Sequence, residues 1–203
     1  MIDGIRAESL LETESDYANL ESVVRSMLIE RGVFKESEFW DKVDRVERVD
    51  YTIGAKLVAK AWKDDEFRQL LIDDPKEAAW SLLGIQLPDH PEVTVLENLK
   101  DVHHVVVCTL CSCYPKAVLG LPPSWYKSFS YRSRMVVEPR SILAKFGTVL
   151  DDSTEIRVVD STADRRYMVL PLAPEDIADI TEDQALGRVT RDMMIGVRIP
   201  YVG

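Results

Sequence analysis

The three cysteines of this chain, Cys108, Cys111 and Cys113, fall within six consecutive positions, and no other cysteine occurs in its 203 residues. Thiols this close point to a site rather than to packing, and an odd number in one run cannot close into a disulfide framework. A C-x-x-C-x-C segment must curl until three sulfurs face one centre. The same curl turns the peptide nitrogens of Ser112 and Cys113 inward between them. A structural zinc site takes four protein ligands, commonly two C-x-x-C pairs or one pair with two spaced histidines. Here the fourth side chain is missing. His103 and His104 precede the apolar run Val105-Val106-Val107; as a strand rising about 3.3 Å per residue, that run would carry them roughly 15 Å from Cys108. The segment therefore either recruits backbone atoms or keeps a coordination position open, and an open position means chemistry. A non-catalytic three-cysteine metal-binding protein and a redox thiol group remain open on the cysteines alone.

The rest of the sequence narrows the setting. A chain of this length with 46% hydrophobic residues can bury one sizeable core. Its net charge of −10 argues against nucleic acid and anionic membrane as partners. No apolar run is long enough to span a membrane, and the acidic start MIDGIRAESLLETESD is no signal peptide, so a cytoplasmic location is expected. Residues 1 to about 16 are expected to fray.

Apolar periodicity divides the chain. Leu20, Val23, Val24, Met27 and Leu28 recur at helical spacing up to Gly32. Ser37 is placed to cap a second helix carrying Phe39, Trp40, Val43 and Val46. A third covers Ile53 to Trp62, Asp64 caps a fourth reaching about Ile72, and Asp74-Pro75 opens a fifth through Leu83, with Gly84 after its end. Strands are expected at Val93–Glu97, Val105–Cys108, Glu155–Val159, Tyr167–Leu170 and Met193–Ile199. Between them, GLPPSWYKSFSYRS reads as a loop leading into short helices, Pro139 starts a helix ending at Gly147, and Thr181 with Gln184 has capping-box spacing. The fold class is α+β: a helical N-terminal arm over residues 1–50, then a layered α/β/β/α-type domain over residues 51–203 carrying the cysteine loop.

The octapeptide VCTLCSCY resembles the metal claw of nitrile hydratase alpha subunits and of the related thiocyanate hydrolase gamma subunit. HHVVVCTLCSCYP, VLGLPPSWYKSFSYRSR, EPRSILAKFG, EIRVVDSTADRRYMVLP and VTRDMMIGV follow in the family's order, with GAKLVAKAW and LIERG upstream. The resemblance covers roughly residues 20 to 199. It implies a layered fold whose arm contacts a beta subunit. It also implies an enzyme hydrating a small-molecule nitrile to its amide, with an activator protein assisting cobalt insertion.

For the site, the resemblance implies that Cys108 is the axial thiolate of a trivalent low-spin ion. Cys111 and Cys113 would be equatorial, with the deprotonated backbone nitrogens of Ser112 and Cys113. Cys111 would carry a sulfinate and Cys113 a sulfenate, two rungs of the thiol oxidation ladder, and the sixth position would take water or substrate. Thr109 and Tyr114 match the cobalt-type motif, so the ion is read as Co(III) rather than iron. Anionic nitrogen and thiolate donors suit such an ion better than zinc. Cys113 and Ser112 are the candidate catalytic positions, with the Cys113 sulfenate as nucleophile or base. Trp125 and Tyr126 align with a segment lining the substrate pocket. Asp160, Asp164 and Arg166 fall where the family places groups around the claw or at the subunit interface. Most relatives have Trp-Pro where this chain has Lys116-Ala117; a basic residue there is shared with the thiocyanate hydrolase gamma subunit, the alternative function.

Overall fold

The computed structural model describes residues 14–47 and 50–200. The chain divides into two compact units, Met1–Val46 and Glu47–Gly203. In the first unit, α1 (Glu14–Glu30) ends where Gly32 takes φ 68°. The amide of Val33 then reaches the Leu28 carbonyl and that of Gly32 the Ile29 carbonyl, which satisfies the last turn of the helix. Helix α2 (Glu36–Glu47) begins one residue before the expected cap. Ser37 therefore lies inside the helix, and Glu38 reaches back to accept a 2.7 Å hydrogen bond from the Lys35 amide just before it. The Arg25 guanidinium lies 4.9 Å from the ring centroids of both Phe39 and Trp40. Leu20, Val23, Val24 and Met27 of α1 are exposed. The expected fraying lies outside the described residues for positions 1–13, while Glu14 to Asp16 are helical.

The second unit opens with α3 (Thr52–Lys63), α4 (Asp65–Asp73) and α5 (Pro75–Leu83). Asp64 accepts from the Phe67 amide, Asp74 from those of Lys76 and Glu77, and Gly84 ends α5 in the left-handed region. Helix α3 is the central one, with Leu57, Val58 and Ala59 almost fully excluded from solvent.

Four strands follow as two parallel pairs. β1 (Glu92–Glu97) pairs with β4 (Arg165–Leu170), and β2 (Val102–Val107) pairs with β3 (Glu155–Asp160). β2 starts three residues earlier than expected and takes in both histidines. His103 is tolerated inside the sheet because both ring nitrogens are bonded, to Asn98 and to the Gly196 carbonyl. The return from β2 to β3 runs through α6 (Lys116–Leu119), α7 (Ser124–Lys127), α8 (Phe129–Val137) and α9 (Pro139–Lys145). Parallel pairing requires such a crossover. It also sets the C-terminal ends of two strands side by side, with Val107 opposite Asp160.

After β4, α10 (Glu182–Arg188) starts with the expected capping box of Thr181 and Gln184. The last expected strand, Met193–Ile199, is not one. Its first half belongs to α11 (Arg191–Ile195), which Thr190 caps through the Met193 amide and Gly196 closes at φ 86°. A Cβ on Gly196 would fall on the His104 carbonyl oxygen and lie 3.0 Å from its carbon, so only glycine fits this close approach. The core joins α3 to the strands and α11, with Val105, Val107, Met168, Leu170, Met194 and Ile195 all at 1% exposure or less.

Candidate metal centre

The claw begins where β2 ends. The amide of Ser161, just past β3, reaches the Val107 carbonyl at 2.7 Å, so the sheet hands Cys108 directly into the loop. Ligand sites collect at the carboxyl ends of parallel strands for this reason. Cys108 and Cys113 are buried and Cys111 is exposed. The Cys108 and Cys111 sulfurs are 3.4 Å apart, the Cys111 and Cys113 sulfurs 3.0 Å, and all three lie within 4.8 Å of one another.

These separations test the donor set. Two metal–sulfur bonds of about 2.3 Å at a right angle put their sulfurs about 3.3 Å apart, whereas a tetrahedral angle spreads them to about 3.8 Å. The two adjacent spacings are shorter than the tetrahedral value. The Cys111 amide also turns inward and donates to the Cys108 sulfur at 3.3 Å. Three thiols with no fourth side-chain ligand beside them among the described residues fit an ion that completes its sphere from the backbone better than structural zinc, which takes four protein ligands.

The thiols differ in acidity. Hydrogen bonds from Cys113, then Cys108, and from the backbone amides of Cys113 and Ser112 draw the Cys111 thiol down to about 7. Burial, reinforced by Cys111 and Cys108, pushes the Cys113 thiol up to about 12.

Side chains from three directions hold the curl. Asp160, at the end of β3, accepts from the Thr109 amide at 3.0 Å and from its hydroxyl. Arg132, on α8, donates through Nη1 to the carbonyls of Thr109 (3.3 Å) and Cys111 (3.1 Å). Tyr126 donates its hydroxyl to the Cys113 carbonyl at 2.8 Å, and Tyr131 donates to Val106 at 2.7 Å. Burial pushes both phenols above their ordinary range, so each stays a neutral donor. Trp125 packs edge-on against Tyr131 and Phe146, with centroids 4.8 and 4.7 Å away.

On the outward face lies a cleft of about 380 Å³ bordered by Cys111, Ser112, Cys113, Lys116 and Arg166. Trp125 and Tyr126 are not among its lining residues. Of the acid–base cluster expected near the claw, Asp160 bonds the loop and Arg166 borders the cleft. Asp164 is exposed, and its carboxylate makes no hydrogen bond or ion pair among the described residues. Sequence reasoning missed Arg132 and Tyr131. Their only local signal is an aromatic–basic pair in the first turn of a helix that Ser128 caps.

The family model for the nitrile hydratase alpha chain matches residues 15–198. The chain belongs to the nitrile hydratase alpha-chain family. It is 46% identical over 195 residues to a nitrile hydratase subunit alpha from Rhodococcus sp, covering 93% of this chain and 96% of that one. It is 42% identical over 200 residues to a cobalt-containing nitrile hydratase subunit alpha from Pseudonocardia thermophila, covering 97% of each. A thiocyanate hydrolase subunit gamma from Thiobacillus thioparus is 41% identical over 205 residues, which is 96% of this chain and 84% of that protein. Among solved structures, a thiocyanate hydrolase comprising partially modified cobalt centres superposes with TM-score 0.84 at 41% identity, covering 95% and 93% of the two chains. A double mutant of an Fe-type nitrile hydratase from Comamonas testosteroni Ni1 gives 0.86 at 36% identity, covering 93% and 92%. The α+β architecture and the cysteine claw expected from the sequence are thus those of nitrile hydratase alpha chains. None of the described helices is long and apolar enough to cross a membrane.

Proposed function

We propose that this chain is the metal-carrying alpha subunit of a cobalt nitrile hydratase, converting a nitrile and water to the corresponding amide. The observation that carries this reading is the convergence of three sulfurs within 4.8 Å of one another beside an open cleft. Cys108, Cys111 and Cys113, with the backbone nitrogens of Ser112 and Cys113, would hold Co(III), with Cys111 as sulfinate and Cys113 as sulfenate. When bound, the ion supplies Lewis acidity toward the nitrile and an acidified water. The oxidised sulfur of Cys113 borders the cleft and acts there as nucleophile or general base. Ser112 lies between the two oxidised cysteines, and its backbone nitrogen is a ligand while its side chain edges the cleft. Asp160 keeps the claw's entry fixed through Thr109, and Arg166 adds positive charge beside Cys113. Trp125 and Tyr126 would serve the substrate pocket from behind the claw, Tyr126 through its bond to the Cys113 carbonyl, with the beta subunit completing the pocket.

That beta subunit is the partner of this proposal. Domains of residues 1–50 and 51–203 give it a division of labour, the exposed apolar side chains of α1 contacting the partner and the rest carrying the metal. Cobalt insertion would need an activator protein, in the cytoplasm. The test is co-expression with the beta subunit and cobalt, followed by assay of aliphatic, aromatic and heterocyclic nitriles. Amide formation with one cobalt per chain supports the reading, and no amide from any class refutes it. Lys116 favours a second reading. Together with Arg166 it gives the cleft two cations and no carboxylate, which suits the thiocyanate anion. Thiocyanate consumption measured on the same preparation separates the two.

A further inference from the structure

Two side chains make three hydrogen bonds to carbonyl oxygens of the claw, and those oxygens belong to different peptides. Tyr126 contacts Cys113, whose carbonyl is joined to the nitrogen of Tyr114. One Arg132 contact falls on Thr109, joined to the nitrogen of Leu110. Neither nitrogen is a proposed ligand. The other Arg132 contact, at 3.1 Å, falls on Cys111, and that carbonyl is joined to the nitrogen of Ser112. Among the described residues, the one cation that touches the loop's backbone thus touches the oxygen of a peptide whose nitrogen is a proposed ligand.

We propose that Arg132 is a positioning residue that stabilises the Cys111–Ser112 peptide in the anionic form it takes when its nitrogen binds a metal ion. This rests on the reading of the Ser112 nitrogen as a ligand. In the step concerned, the Ser112 N–H bond breaks, its proton passes to solvent water, and the electron pair left on nitrogen forms the bond to the ion. Amide resonance shares the resulting negative charge with the Cys111 oxygen, where the guanidinium donates. A hydrogen bond between charged groups is roughly twice as strong as one between neutral groups. Arg132 is suited to the task in two further ways. Its guanidinium does not lose its charge in a protein. It is also half-buried, its Nε is buried without a partner, and no carboxylate pairs with it among the described residues. Its field is therefore directed at the loop rather than cancelled locally.

A residue that only staples the loop would matter equally for every metal the claw takes. A residue that stabilises an anionic peptide matters only for metals that bind the peptide nitrogen. Zinc(II) binds thiolates tetrahedrally, whereas nickel(II) takes square-planar sites with nitrogen donors. The experiment uses the full chain, reduced and metal-free, and measures nickel and zinc affinities by competition with a chelator. Wild type is compared with Arg132→Met, Arg132→Lys and Tyr126→Phe, and the absorption of the nickel form is recorded. Expected is a square-planar nickel spectrum in wild type. Arg132→Met should lose nickel affinity about ten- to a hundredfold relative to zinc, with partial recovery in Arg132→Lys. Tyr126→Phe should weaken both metals alike. Equal losses for both metals in Arg132→Met, no loss for either, or a tetrahedral nickel spectrum in wild type would each overturn the proposal. No nitrile or partner enters the measurement, so its outcome is independent of the hydration assay.

Discussion

Strand β2 ends in a polar network on each side, and the two are built on opposite rules. Before its centre, His103 lies in a closed knot. The Asn98 oxygen accepts from the His104 amide at 2.7 Å, so its nitrogen faces His103 Nδ1 at 3.0 Å. Nδ1 must then accept, and Nε2 carries the proton given to the Gly196 carbonyl at 2.7 Å. Both ring nitrogens of His103 are paired, and the residue is 3% exposed. At the other end, Asp160, Arg132 and Tyr126 pair carbonyls of the claw and the Thr109 amide, and leave the three sulfurs facing one another. A saturated network fixes a fold. A network that pairs the loop's carbonyls and turns its sulfurs toward one another fixes a site.

The largest effect should come from the open end. Cys111 is exposed, so Cys111→Ala removes a ligand without opening the core. It should leave the melting temperature of the metal-free chain nearly unchanged. Activity of the assembled enzyme should drop by three orders of magnitude or more, about 4 kcal/mol of activation free energy, with cobalt lost from the purified protein. A variant that kept its cobalt and a tenth of its activity would show that the two ends do not divide the work this way.

The closed end should respond in the opposite sense. Gly196→Ala puts a methyl group on the His104 carbonyl at a left-handed position. It pushes α11 off β2 and breaks the His103 bond, so a loss of more than about 3 kcal/mol is expected. Denaturant melts check this, and a loss under 1 kcal/mol would mean that the approach relaxes easily. Asp160→Ala lies between the extremes. It strips the Thr109 amide and hydroxyl of their partner at a site with solvent access, for about 1 to 2 kcal/mol. Because the bond aims Cys108, cobalt content should fall more than stability does.

What could be read beforehand follows the same division. The caps at Asp64, Asp74 and Thr181 were legible because the capping side chain and the amide it satisfies are two or three residues apart. The cysteine claw was legible because its donors lie within six residues. The end of the chain was not. Met193 to Ile199 is apolar and partly alternating, so it reads as a strand, yet Thr190 and Gly196 confine the apolar residues to a helix of one and a half turns. The early start of β2 was hidden too, because the partners that let His103 enter the sheet are Asn98 and Gly196, and Gly196 is 93 residues away. Arg132 and Tyr131 were missed for the same reason, since nothing in their own neighbourhood shows that one reaches the claw and the other the end of β2. Local hydrogen bonding leaves a local signature, and support across the fold does not.

The smallest effect is the one that tests whether the knot is closed. Burial holds His103 below its ordinary pKa of 6.5. A histidine whose folded pKa lies below its unfolded value contributes stability above the unfolded pKa, and that contribution is lost as pH falls below about 6.5. Wild type should therefore lose stability between pH 7.5 and pH 5.5, by at most about 1.4 kcal/mol per pH unit per histidine. His104, also lowered by burial and by Arg157, adds to the slope with the same sign. Asn98→Asp isolates the knot. The carboxylate can still accept from the His104 amide, and its other oxygen faces Nδ1 and favours the protonated ring. The folded pKa of His103 then rises, and its contribution is present below the unfolded pKa and lost as pH rises through the folded one. Burying an ion pair is costly, so the variant should be the less stable protein at pH 8. Its stability difference from wild type should nevertheless shrink steadily toward pH 5.5, where His104 contributes equally to both. Urea titrations of the two proteins at four pH values would show it. Parallel curves would mean that water reaches Nδ1 and that the knot is open after all.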